Sequence, residues 1–208
     1  MRYKNILFSC LLVSWTIVIV QYFLMVQNRV VVVPETTLRF FSFFTILTNI
    51  LVAIVYTASY FVSKKSIGFF INPRVQTAVG VYIFIVGFVY NLILRFIWKP
   101  TGLQQIVDEF LHLIIPVVYI LFWFFYVKKE TINWTSVFAW LLYPLIYICV
   151  VLILGSFSNF YPYPFIDVSV LGYKVVFRNA LLLTLFFFVI SLLFVGIAKY
   201  TVKKQTIL

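Results

Sequence analysis

Six runs of apolar residues, each long enough to cross a bilayer, constrain what this chain can fold into. They are Asn5–Val26, Phe40–Val62, Val75–Trp98, Phe110–Val127, Val137–Gly155 and Arg178–Ala198. A helix rises about 1.5 Å per residue, so about 20 such residues cover the roughly 30 Å of a hydrocarbon core. The runs take up more than half of the 208 residues and leave only short connections. The expected fold is all-α: a polytopic membrane protein, a bundle of six transmembrane helices forming one domain over residues 1–208. The first run follows Met1-Arg2-Tyr3-Lys4 and is longer than the apolar part of a secretion signal. No A-x-A-like cleavage site follows it, so it is expected to persist as the first span.

The formal net charge of +11 raises the question of nucleic acid, and its distribution answers it. Lys and Arg lie between the apolar runs, in pairs such as Lys64–Lys65, Lys128–Lys129 and Lys203–Lys204. Such flanks follow the positive-inside rule and favour anionic headgroups, whereas nucleic-acid binding needs a basic face on a soluble module. With the N-terminus cytoplasmic, the inner segments carry Arg2, Lys4, Lys64, Lys65, Arg74, Lys128, Lys129, Lys199, Lys203 and Lys204. The outer segments carry Arg29, Arg39, Arg95, Lys99, Lys174 and Arg178. The bias places both termini in the cytoplasm, in a multi-pass protein of the plasma membrane. Cys10 and Cys149 fall within spans and read as small apolar residues. One histidine and no cysteine pair leave no ligand set for zinc or haem, so neither metal nor cofactor is expected.

That orientation brings scattered polar residues to one level, in the outer third of the membrane. Thr45 lies about 9 Å along a helix from Arg39, and His112 about 6 Å from Asp108. Asn91 stands one turn before Arg95, and the long connection Ser156–Val176 contributes Asp167. His112 is the only histidine in the chain and lies inside an apolar run. An ionisable group at that depth is costly and marks a functional site by default. Asp108, four residues earlier, shares its helix face and can orient the imidazole. The hydroxyls at matching depth are Ser42, Thr45 and Thr48, any of which can serve as a nucleophile beside a histidine. Hydroxyls in membrane helices also bond back to the carbonyl four residues earlier, or pack helices together. Asn49 and Asn91 offer N–H groups to a developing oxyanion. Pro116 and Pro144, within the fourth and fifth runs, are expected to bend their helices.

The segment Arg39-Phe40-Phe41-Ser42-Phe43-Phe44-Thr45-Ile46-Leu47-Thr48-Asn49 resembles the second-helix motif of the androgen-induced-protein family, in particular its bacterial branch. His112-Leu113-Ile114-Ile115-Pro116 and Tyr163-Pro164-Phe165-Ile166-Asp167 are similar to family segments in the same order. Animal members are intramembrane threonine hydrolases that cleave esters between two fatty acyl chains. The resemblance implies Thr45 as nucleophile and His112 as its partner, with amphiphilic fatty acyl esters or other membrane lipids as substrate. Two other functions stand beside it. One is a binding or transport protein in which His112 and Asp108 handle a proton or hold a headgroup. The other is a scaffold whose polar residues only join helices. The plain inner halves of the spans, with Thr57, Ser59 and Gln76 near the flanks, weigh against an ion path.

Overall fold

The computed structural model describes residues 2–61 and 68–207. Lys64, Lys65 and the Val62 end of the second run lie outside the described residues. Among the described residues the protein is all-α, with seven helices and no strand. They are α1 (Arg2–Gln27), α2 (Val33–Phe41), α3 (Phe44–Phe61), α4 (Pro73–Ile97), α5 (Gly102–Tyr126), α6 (Ser136–Ser158) and α7 (Val168–Ile207). All but α2 are long and apolar enough to cross a membrane. Packing divides the chain into two compact units, Met1–Lys128 and Lys129–Leu208.

In the first unit α3, α4 and α5 are the most enclosed helices, and α1 is the least enclosed of the spans. Burial of Phe44, Thr45, Thr48, Asn49, Val52, Val55 and Tyr56 follows the three- and four-residue spacing of one helix face. α1 lays Leu7, Leu11, Ser14 and Val18 against its neighbours, mainly α3, and turns Phe8, Leu12, Ile19 and Phe23 outward. Large apolar side chains on an outward face suit lipid, where no water penalises them. Polar bonds join these helices at one level: Trp15 Nε1 donates to Thr57 Oγ1 at 3.0 Å, and Gln76 Nε2 to Ser59 Oγ at 3.2 Å. Trp123 Nε1 donates to Thr77 Oγ1 at 2.9 Å, and the Tyr119 hydroxyl to the Gln76 carbonyl at 3.0 Å. In a low-dielectric core such bonds hold helix register, because an unpaired partner is expensive there.

Three helices start well away from the beginnings of their apolar runs. The second run does not begin a continuous helix at Phe40. α2 ends at Phe41, where Ser42 N–H reaches the Arg39 carbonyl at 3.1 Å and Phe43 N–H the Phe40 carbonyl at 3.3 Å. These three-residue bonds, with Ser42 Oγ on the Leu38 carbonyl at 2.8 Å, close α2 and let α3 start afresh at Phe44. The Arg39–Thr45 spacing expected from one unbroken helix therefore does not hold. α5, the helix of the fourth run, starts at Gly102 rather than Phe110, because Gln104 Nε2 finds Gln21 Oε1 on α1 at 2.8 Å. A polar turn can precede the apolar run when its side chains have partners inside the unit.

The third difference lies in the second unit. α7 begins at Val168, ten residues before Arg178, so the connection expected over Ser156–Val176 is shorter. Asp167 caps it: Oδ1 accepts from Ser169 N–H at 2.9 Å, Ser169 Oγ at 2.5 Å and Val170 N–H at 3.3 Å. Gly172 then interrupts the helix at φ 72°, a left-handed backbone open chiefly to glycine. α6 runs through Pro144 and ends at Asn159, itself left-handed with φ 53°. Val151, Ile166 and Val176 form one buried cluster of this unit, packed against Tyr147, Tyr163 and Phe165.

Candidate functional site

The site is built where α3, α4 and α5 meet, and a proline sets its geometry. Pro116 has no N–H, so the His112 carbonyl loses the donor it would have in a regular helix. Just before it, over Phe110–Ile114, α5 opens into a single π turn in which Ile115 N–H bonds the Phe110 carbonyl. That shift takes the normal donor away from the Leu111 carbonyl as well. Two buried carbonyls are thus stranded side by side, each needing an outside donor.

Two asparagines from neighbouring helices supply them. Asn49 Nδ2, on α3, donates to the Leu111 carbonyl at 3.2 Å and to the Thr45 carbonyl at 2.9 Å. Asn91 Nδ2, on α4, donates to the His112 carbonyl at 3.2 Å and to the Gly87 carbonyl at 2.7 Å. Both N–H groups of each amide are used. The hydrogens expected to meet an oxyanion are instead on backbone carbonyls, and these side chains lock α3, α4 and α5 around His112. We expect Asn49→Leu, close in volume, to cost about 1–3 kcal/mol by stranding the Leu111 carbonyl. Thermal unfolding in detergent checks this; an unchanged midpoint would mean that the carbonyl has another donor.

Within that frame Asp108 and His112 are both buried, at 6 % and 8 % exposure. The His112 Nδ1 lies 2.9 Å from the Asp108 carbonyl oxygen and 3.5 Å from Asp108 Oδ1. The other carboxylate oxygen, Oδ2, accepts a short hydrogen bond from the Tyr90 hydroxyl. The Tyr90 ring also stacks on the imidazole, with centroids 3.8 Å apart and planes 13° from parallel. α4 has its own π turn, over Tyr90–Leu94, with Arg95 N–H on the Tyr90 carbonyl. Residues five apart diverge by about 140° on a regular helix, and the π turn brings them back toward one face. Arg95 accordingly lies over the Tyr90 ring, 5.4 Å from its centroid, and pairs with Glu109 on α5 at 2.7 Å.

The other expected site residues divide cleanly. Thr45 is buried on α3, one turn before Asn49. Thr48 is fully buried, and its hydroxyl makes no hydrogen bond among the described residues. Ser42 bonds back to the Leu38 carbonyl and serves the end of α2. Asp167 belongs to the second unit, where it caps α7. Tyr90 is the participant that sequence reading missed. It is one of 14 tyrosines, and only its place beside Asn91, on the helix facing Asp108, sets it apart.

These features define a class: a polytopic helical membrane protein with a buried Tyr–Asp–His cluster inside its packed spans. Comparison with family models, with curated proteins and with solved structures finds no match to this chain.

Proposed function

We propose that this protein is an intramembrane hydrolase of long-chain fatty acyl esters, with Thr45 as nucleophile and His112 as general base. The observation that carries the reading is the way the imidazole is held. A ring nitrogen 2.9 Å from a carbonyl oxygen must present a proton to it, so neutral His112 keeps its lone pair on Nε2. That is the form a general base needs. Thr45 is a buried hydroxyl on the helix whose Asn49 grips the residue next to His112. The resemblance of the segments around Thr45, His112 and Asp167 to the androgen-induced-protein family supports the same pair.

In this mechanism the Thr45 hydroxyl attacks the acyl carbonyl while His112 Nε2 takes its proton. The carbonyl–alkoxy bond breaks, the leaving alkoxide receives that proton, and the acyl group stays on Thr45. Water then attacks the acyl carbonyl, gives its proton to Nε2, and releases the fatty acid as Thr45 regains its hydrogen. Substrate arrives laterally from the bilayer, whose acyl chains match the apolar helix faces. Hydrolysis of long-chain aryl and branched fatty esters by purified protein, absent in Thr45→Ala, is the expected result. Equal turnover in the variant would remove the nucleophile.

The same reading puts the protein in a plasma membrane, the bacterial inner membrane, with both termini cytoplasmic. Lys128 and Lys99 are exposed at opposite ends of α5's neighbourhood in sequence, just past α5 and just before it. A cysteine at Lys99 is expected to react with a membrane-impermeant maleimide in intact cells, and one at Lys128 only after permeabilisation. The reverse pattern would invert the topology.

A further inference from the structure

We propose that Tyr90 is a positioning residue that holds His112 in one tautomer, acting through Asp108 and through its own ring. An aspartate one turn before a histidine has several places to put its carboxylate, including its own backbone and solvent. Here the Tyr90 hydroxyl fixes Oδ2, which keeps Oδ1 on the Nδ1 side of the imidazole at 3.5 Å. The Asp108 carbonyl oxygen stands on the same nitrogen at 2.9 Å. Two acceptors therefore converge on Nδ1, and the proton belongs there. The ring plane is set by the Tyr90 face, 3.8 Å away and 13° from parallel. One side chain thus restrains both the carboxylate and the imidazole. Tyr90 is in turn covered by the Arg95 guanidinium, which Glu109 anchors from α5.

The tautomer follows from geometry alone, whereas its kinetic consequence rests on the hydrolase reading. A base held with its lone pair on the wrong nitrogen cannot take the nucleophile's proton, whatever the rest of the site does. Tyr90→Phe keeps the stacking face and removes only the hydroxyl, so it separates the two restraints.

His112 is the only histidine in the chain, so full-length protein labelled with 15N-histidine yields one imidazole spectrum. In lipid nanodiscs the wild type is expected to carry its proton on Nδ1, with Nε2 bare. Tyr90→Phe leaves the Asp108 carbonyl on Nδ1 but frees the carboxylate that backs it, so part of the population should move its proton to Nε2 and kcat should fall about tenfold, with KM unchanged. Asp108→Ala, which also keeps the backbone carbonyl and removes only the carboxylate, should show the same partial shift. A Tyr90→Phe spectrum identical to wild type would overturn the proposal, as would a wild-type proton on Nε2. If the spectra change as expected while no form of the protein cleaves an ester, the positioning role stands and the hydrolase reading falls.

Discussion

Thr45→Ala and His112→Ala are each expected to abolish ester hydrolysis while the protein still inserts and packs. A threonine hydroxyl is a weak nucleophile near neutral pH and becomes useful only when a base removes its proton as it attacks. Losing the base should cost about 10²–10⁴-fold in kcat, and losing the hydroxyl should remove the covalent route altogether. The double variant should be hardly worse than either single one, because the two groups act in one step. Thr45→Ser should keep part of the activity, since the hydroxyl remains although the β-branch that fixes its rotamer is gone. Asp108→Asn should do less harm than His112→Ala, because the Asp108 backbone carbonyl still faces Nδ1. Neither single alanine removes a large apolar side chain, so loss of turnover can be read as chemistry once gel filtration and helicity match wild type.

The second large effect is structural and falls on Gly87. A Cβ there would lie 3.0 Å from the His112 carbonyl oxygen and 3.2 Å from Pro116 Cβ. Neither neighbour can yield: one is backbone in a π turn and the other a proline ring. Glycine lets α4 and α5 approach closely enough for Asn91 to reach the stranded carbonyl, as small residues do at membrane helix crossings. Gly87→Ala is expected to cost about 1–3 kcal/mol, and Gly87→Val more, by forcing the helices apart. Activity should fall with stability, since the same displacement lifts Tyr90 off the imidazole. Gly196→Ala is the control: the nearest atom to its Cβ would be Trp134 at 4.0 Å, so no loss is expected. A Gly87→Ala protein as stable as wild type would mean that the helix crossing is not set by this contact.

The number of spans is readable in the sequence because a stretch of about 20 apolar residues has few other fates. The pairing of Asp108 with His112 is readable too, from four-residue spacing on a helix. Helix starts are less so. Hydropathy takes Gln104, Asp108 and Glu109 as a departure from the membrane, yet each has a partner in Gln21, Tyr90 or Arg95, and the helix extends through them. Val168–Phe177 reads as loop by composition and is helical because Asp167 caps it. The break at Ser42 has no glycine or proline to announce it; a serine hydroxyl and two short backbone bonds suffice. The π turns cannot be read from one chain alone. The one in α5 depends on how the carbonyls freed before Pro116 are met by asparagines on two other helices, a three-body fit that local pattern does not encode. Tyr90 is hidden for the same reason, since its role exists only once α4 lies against α5.

Thr45 is the residue that must carry the acyl group if the protein is the proposed hydrolase. The most direct measurement incubates the wild-type protein with an activated long-chain ester, quenches it in acid, and maps the added mass by peptide sequencing. An acyl group on Thr45, absent in His112→Ala, is the predicted result. Acylation at another residue, or turnover of the ester with Thr45 unmodified and replaceable by alanine, would contradict it.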